Sequence, residues 1–180
     1  MPCRWLPLAA LLMLPAACTN YETADPRDVT SRVEIQDSKF DDRISFVGPV
    51  IVDFQGNTST RLRGWLDKRT REVTHQAYVD IWYTTWGWRH YWTASFVGGH
   101  SVEAAEIDGE IHCTRYRHSY SLSCRRTETV GVPISDAVLR KAQASGLEFR
   151  LNAHSGHQDV VRLPGPYIRG FLARIDRLRR

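Results

Sequence analysis

Two cysteines in the middle of the chain, Cys113 and Cys124, have the type and spacing to form a disulfide. The ten residues between them alternate along a potential hairpin with a turn at His118-Ser119, which would place the two cysteines opposite each other. Two cysteines that can form a disulfide are typical of proteins that fold in an oxidising compartment. The alternative is a redox or metal pair, but the spacing is not that of a Cys-x-x-Cys motif, so the sequence favours the disulfide.

An aromatic segment, Tyr78–Phe96, reads YVDIWYTTWGWRHYWTASF. If two strands fold back about Trp86-Gly87, one face of the pair is apolar and faces the core, with Val79, Ile81, Tyr83, Trp92, Ala94 and Phe96. The opposite face then carries Tyr78, Asp80, Trp82, Arg89, Tyr91 and Thr93.

Four residues of that second face are candidate ligand-binding residues: Tyr78, Trp82, Tyr91 and Arg89. Flat aromatic rings beside charged groups can stack on sugar rings or pack on a partner protein. The alternative, which the sequence favours, is structural: aromatic residues form strands readily, and the C-terminal helix could cover this face. A register shift of one residue would exchange the two faces.

A histidine pair, His154 and His157, lies close to Asp159, and imidazole and carboxylate groups are metal ligands. The sequence favours a polar loop over a metal site here, because Ser155-Gly156 separates the histidines. The chain has no Gly-x-Ser-x-Gly motif and no phosphate-binding loop. We therefore expect neither catalytic residues nor a metal or other cofactor.

The first residues have the pattern of an export signal. Arg4 precedes an apolar run that is too short to span a bilayer, and the run ends in the small residues Ala16-Ala17 before Cys18. Pro15-Ala16-Ala17-Cys18 resembles the lipobox of bacterial lipoproteins, although Pro15 stands where that family has Leu. The alternative is ordinary signal-peptidase cleavage that leaves Cys18 unmodified.

The lipoprotein resemblance implies removal of residues 1–17 and attachment of diacylglycerol to Cys18, which becomes the acylated N-terminus. In that family, a residue other than Asp after the cysteine, here Thr19, implies the outer membrane. The expected location is thus the cell envelope, at the outer membrane facing the periplasm. Residues 18–30 are polar and predict a tether, followed by a single domain over 31–180.

Hydrophobic periodicity predicts a mainly β domain, an antiparallel meander sheet or sandwich with a short inserted helix and a C-terminal amphipathic helix. The predicted strands are Arg32–Gln36, Ile44–Phe54, Arg61–Leu66, Val73–Thr84, His90–Val97, Ser101–Ile107, Leu147–Ala153 and Asp159–Leu163. Asp108-Gly109 predicts a hairpin turn. Ser135–Ala142 predicts the inserted helix, and Pro164 begins the last one.

The net charge of +4 is small and its charges are mixed along the chain, so nucleic acid is not an expected partner. Three functions remain. The first is a non-enzymatic, lipid-anchored envelope protein with a structural or partner-binding role. The second is a glycan- or peptidoglycan-binding module that uses the exposed aromatic face. The third is a small metal-dependent hydrolase that uses His154 and His157.

Overall fold

A computed structural model of the chain describes residue 21 and residues 23–53, 55–115 and 122–180. The signal segment, Cys18 and the predicted turn at His118-Ser119 lie outside the described residues. The predicted fold class is confirmed, since the described chain is mainly β, with antiparallel sheets, three helices and a helix at the C-terminal end.

The strands are β1 (Glu34–Gln36), β2 (Arg43–Val47), β3 (Ile51–Val52), β4 (Thr58–Asp67), β5 (Val73–Tyr83), β6 (Tyr91–Phe96), β7 (Ser101–Glu103), β8 (Ala105–Arg115), β9 (Leu122–Ile134), β10 (Leu147–Ala153) and β11 (Gln158–Leu163). The helices are α1 (Pro26–Arg32), α2 (Asp136–Lys141) and α3 (Gly165–Arg179).

The strands form two antiparallel sheets. The larger sheet has the order β1-β2-β4-β5-β9-β8, with β3 also paired to β4, and the smaller has the order β11-β10-β6-β7. The chain therefore leaves the larger sheet after β5 and enters the smaller one at β6. The expected hairpin about Trp86-Gly87 is wrong, because the two strands on either side of it pair with different partners.

The core lies on one face of the larger sheet, which we call the inner face. Alternate residues of β4 and β5 are buried there, as a period of two requires. The apolar stripe of α3 packs on this face, with Phe171 5.6 Å from Phe46 between ring centroids. Residues of both sheets, α1, α2 and α3 contribute to one hydrophobic core.

A tyrosine hydroxyl completes the sheet where Gly48-Pro49 separates β2 from β3. Pro49 has no N–H group, and the strand pairing is interrupted there. The buried Tyr167 hydroxyl accepts from the N–H of Leu62 at 3.0 Å and donates to the carbonyl of Pro49 at 2.8 Å. A helix side chain thus satisfies backbone groups that a neighbouring strand would otherwise pair.

The predicted tether over 18–30 is wrong in its second half, because α1 is part of the domain. The Asp25 side chain caps this helix and Pro26 occupies its first turn. Val29 is fully buried, and the Thr30 hydroxyl donates to the carbonyl of Gly170 in α3 at 2.9 Å. The folded domain therefore begins before residue 31, and Tyr21 already packs edge-on against Tyr167 at 5.6 Å.

Asp108-Gly109 is not a turn, because both residues lie inside β8. A Cβ atom at Gly109 would lie 3.2 Å from the ring of Trp88, so the glycine provides room for that indole. The predicted strand Ser101–Ile107 is divided at buried Ala104 into β7 and β8, which belong to different sheets.

The predicted cysteine pair is confirmed. Cys113 of β8 and Cys124 of β9 are paired directly across the two strands and joined by a disulfide.

Candidate functional site

The outer face of the larger sheet carries a row of arginine and aromatic side chains. Its members, which we call the ladder, are Arg61, Arg63, Trp65, Tyr78 and Trp82. They alternate with the buried residues of β4 and β5 and are only half-buried. Tyr78 and Trp82 therefore lie on the face opposite the core, as the sequence predicts. The C-terminal helix does not cover them, because α3 packs on the inner face.

The ladder is held together by contacts between guanidinium groups and rings. The Arg63 guanidinium lies 4.1 Å from the ring centre of Tyr78 and 5.1 Å from that of Trp65, and Arg61 lies 4.8 Å from Tyr78. Arg63 Nε also donates to Gln76 at 2.8 Å. Contacts of this kind contribute about 0.5–1 kcal/mol each when exposed. The positive groups are thus fixed in position before any partner arrives.

Two of the four candidate ligand-binding residues lie away from the ladder. Tyr91 is buried, and its hydroxyl donates to Asp159. Arg89 lies over the ring of Tyr83 at 4.2 Å and donates to the hydroxyl of Tyr91 at 2.9 Å and to Asp159 at 3.2 Å. The prediction that Tyr91 and Arg89 share an exposed face with Tyr78 and Trp82 is wrong, because β6 is in the other sheet.

The loop between β5 and β6 is held in place by the carboxyl group of Glu128, a residue that is only 1 % exposed. It accepts from three consecutive backbone N–H groups, those of Arg89 at 2.6 Å, His90 at 3.3 Å and Tyr91 at 3.4 Å, and from the hydroxyl of Tyr83. Sequence analysis missed this residue, because the donors come from a distant loop.

The two tyrosines of this region are held in the protonated form. Burial, followed by the hydrogen bond to Glu128, raises the pKa of Tyr83 to about 12. Burial, followed by the hydrogen bond to Asp159, raises the pKa of Tyr91 well above its ordinary value. Both hydroxyls therefore serve as hydrogen-bond donors at neutral pH, which is a positioning role.

A cleft of about 680 Å³ lies at the start of β6. Trp92 is 48 % exposed there and stacks on His154, with ring centroids 5.0 Å apart and 10° between the planes. The prediction that Trp92 is a core residue is wrong. The pairing of β6 with β10 shifts next to Tyr91, so Tyr91 and Ala94 turn inward and Trp92 turns outward.

The cleft is acidic on one side. Glu103 and Glu106 line it, and Glu106 lies 3.6 Å from Nδ1 of His90. The backbone of His90 has φ 53°, a left-handed conformation that is uncommon for a residue other than glycine. Strained residues and bulges are frequent next to binding sites, and here both occur beside an exposed indole.

The candidate metal ligands do not converge. His154 stacks on Trp92, His157 Nδ1 lies 3.1 Å from the Ser155 hydroxyl, and Asp159 pairs with Arg89 and Tyr91. Within residue 21 and residues 23–53, 55–115 and 122–180, no group of three or more metal-ligating side chains is arranged to hold an ion.

A second histidine with an acidic partner is His75, near the N-terminal end of β5. Its Nε2 lies 2.9 Å from Oδ1 of Asp136. Burial lowers the pKa of His75, so the imidazole is neutral and donates from Nε2. Its Nδ1 has no partner among the described residues, and the imidazole ring packs edge-on against Phe46 and Phe171 at 6.0 Å between ring centroids. This arrangement holds α2 against the sheet and presents no base to solvent.

Comparison of the chain with protein-family models, with curated proteins and with solved structures finds no match. Among the described residues, none of the helices has both the length and the apolar character needed to cross a membrane.

Replacement of Glu128 by Gln tests the role of its carboxyl group. The amide can accept through only one oxygen and places an N–H₂ group against buried donors. We expect the free energy of unfolding to fall by about 1–3 kcal/mol. Urea denaturation measures the change, and exposed Glu110→Gln is the matched control with an effect within about 0.5 kcal/mol. Equal stability of the two variants would contradict the role assigned to Glu128.

Proposed function

We propose that the protein is a non-enzymatic, lipid-anchored protein of the cell envelope, at the outer membrane facing the periplasm, and that it binds a partner protein through the ladder. The observation that carries the binding role is the row of arginines already fixed on aromatic rings across an uncovered sheet face. Arginine, tryptophan and tyrosine are the residues most enriched at the centres of protein interfaces.

The chemistry of the ladder favours a protein with acidic side chains over a sugar. The guanidinium groups of Arg61 and Arg63 both lie over the ring of Tyr78, at 4.8 and 4.1 Å from its centre, so a sugar would have to compete with two cations for stacking on this ring. The neighbouring carboxyl group of Asp80 accepts from Ser59 at 3.0 Å and Thr129 at 2.9 Å. The ladder itself holds two arginines and no carboxylate, and the one carboxylate beside it already accepts two hydroxyl groups, so positive charge dominates and carboxylate groups are its natural complement.

The proposal of a lipid anchor rests on the lipobox-like sequence before Cys18, and Tyr21, the first residue that the structure describes, limits how far the anchor can lie from the domain. Tyr21 is packed on Tyr167, so only two residues, Thr19 and Asn20, lie between the proposed lipid attachment and the folded domain. The three backbone steps from Cys18 to Tyr21 reach at most about 10 Å. An anchor at Cys18 would hold the domain close to the membrane, without the long tether that the sequence predicts.

The anchor is tested by the intact mass of the mature protein from its native host. We expect a chain that begins at Cys18 and carries acyl groups, and that gains the mass of two hydrogen atoms when a thiol reductant supplies two electrons and two protons arrive to convert the Cys113–Cys124 bond into two thiols. The variant Cys18→Ser should lose the acyl mass and, when the membranes are washed with high salt, move from the membrane fraction to the soluble fraction. An unmodified mature chain that begins at Thr19, or at an unacylated Cys18, would refute the anchor.

The binding role is tested by crosslinking in the native envelope. We expect Arg63→Glu to weaken the crosslinked species at least about tenfold, because the reversed charge repels an acidic partner and breaks the contacts with Tyr78 and Trp65. Exposed Arg150→Glu on β10 is the control with the same change in charge. A crosslinked pattern that is unchanged by Arg63→Glu would place the partner elsewhere.

The Trp92 cleft supports a second candidate function, glycan binding. One face of the indole stacks on His154 and about half of its surface remains exposed, while Glu103 and Glu106 offer acceptors for sugar hydroxyls. In this candidate function the cleft takes the place of the predicted ligand-binding residues Tyr78, Trp82, Tyr91 and Arg89 as the surface for the sugar.

Glycan binding predicts that peptidoglycan fragments quench or shift the tryptophan fluorescence of the protein. Trp92→Ala should abolish this change, whereas Trp82→Ala on the ladder should retain it. The absence of any change in the unaltered protein would exclude this candidate and leave the ladder as the binding surface.

A further inference from the structure

The end of the β8–β9 hairpin projects beyond the larger sheet. β9 pairs with β5 only as far as Arg126, opposite Tyr83, while further along the hairpin β8 and β9 pair only with each other. We call residues 111–115 and 122–126 the arm. A pair of strands without a third is marginally stable by itself, and the Cys113–Cys124 disulfide holds the arm together.

The arm is basic, and the part of the hairpin before it is acidic. The arm contains Arg115, Arg125 and Arg126 and no acidic residue. The preceding part of β8 contains Glu106, Asp108 and Glu110. All three arginines therefore lie beyond Glu110, the last carboxylate of β8, on the side of the projecting end.

Apolar side chains are exposed at this same end. Ile111 is 50 % exposed and Leu122 is 58 % exposed, and the strand register places them on the same face of the arm as the disulfide. Trp86, in the loop after β5, is 97 % exposed. Arg126 ties this loop to the arm by donating to the carbonyl of Thr85 at 2.7 Å.

We propose that the arm and Trp86 form a contact site for the surface of an anionic phospholipid bilayer. Indole rings and aliphatic side chains enter the boundary between headgroups and acyl chains, and neighbouring arginines attract anionic headgroups. The exposed indole and the two aliphatic side chains lie at the end of the molecule where the arm extends beyond the sheet, so they can reach the headgroup region of a bilayer. This contact uses no lipid on Cys18, so it stands or falls independently of the proposed anchor.

The first experiment is sedimentation of the mature chain carrying Cys18→Ser with lipid vesicles at low salt. We expect binding to vesicles of equal parts phosphatidylglycerol and phosphatidylcholine, and at least about tenfold weaker binding to phosphatidylcholine alone. Raising the salt concentration should weaken the binding, because screening reduces the attraction between arginines and headgroups. Cys18→Ser ensures that an acyl chain makes no contribution.

Variants then locate the contact. The double change Arg115→Glu and Arg125→Glu should weaken vesicle binding at least about tenfold, since it replaces two groups that attract anionic headgroups with two that repel them. Trp86→Ala should weaken it by a smaller factor. The matched control is Arg43→Glu with Arg69→Glu, two exposed positions at the opposite end of the sheet, with the same change in net charge.

Two results would overturn the proposal. One is the absence of sedimentation with phosphatidylglycerol vesicles. The other is equal loss of binding in the arm variant and in the control, which would show only the effect of net charge. Circular dichroism of each variant verifies that the sheets are intact, so that a loss of binding is not a loss of folding.

Discussion

The buried carboxyl group of Glu128 is the interaction on which the arrangement of the two sheets depends. The chain must turn out of the larger sheet after β5 and enter the smaller sheet at β6, and a turning backbone leaves N–H groups unpaired. Glu128 accepts three of them in succession and the hydroxyl of Tyr83 as well. An unpaired buried donor costs about 1–3 kcal/mol, so this one side chain decides the path of the loop.

The path of that loop places the exposed tryptophans. On one side of the Glu128 contacts the chain exposes Trp86 beside the arm, and on the other side it turns Tyr91 inward and Trp92 outward into the cleft. The ladder is independent of this loop, because its residues belong to the regular part of β4 and β5. The three surfaces therefore differ in charge and in the elements that form them. The arginine ladder belongs to regular strands, whereas the acidic aromatic cleft and the surface of Trp86 beside the basic arm depend on the loop.

Sequence analysis succeeded where the signals are local. The alternation of β5, the Ser135 cap of α2 and the apolar stripe of α3 each lie within a short segment, so the pattern and the structure agree. The pairing of Cys113 with Cys124 required only a hairpin. Helix α1 was also readable, since Asp25-Pro26 is a cap followed by a first-turn proline, but the polar composition favoured a tether.

The errors within the strands have one physical cause, which is that pairing between distant strands decides which side of a strand faces the core. Nothing within the segment YVDIWYTTWGWRHYWTASF shows that β5 pairs with β9 whereas β6 pairs with β10. The register shift next to Tyr91 then reverses the faces of Tyr91 and Trp92, since a displacement of one residue exchanges the two sides of a strand. The same dependence explains the wrong prediction of a turn at Asp108-Gly109. Gly109 makes room for the ring of Trp88, which is distant in sequence, whereas the local pattern is that of a turn. The residues of the Trp92 cleft were therefore the hardest to assign, because their exposure is set by contacts far away along the chain.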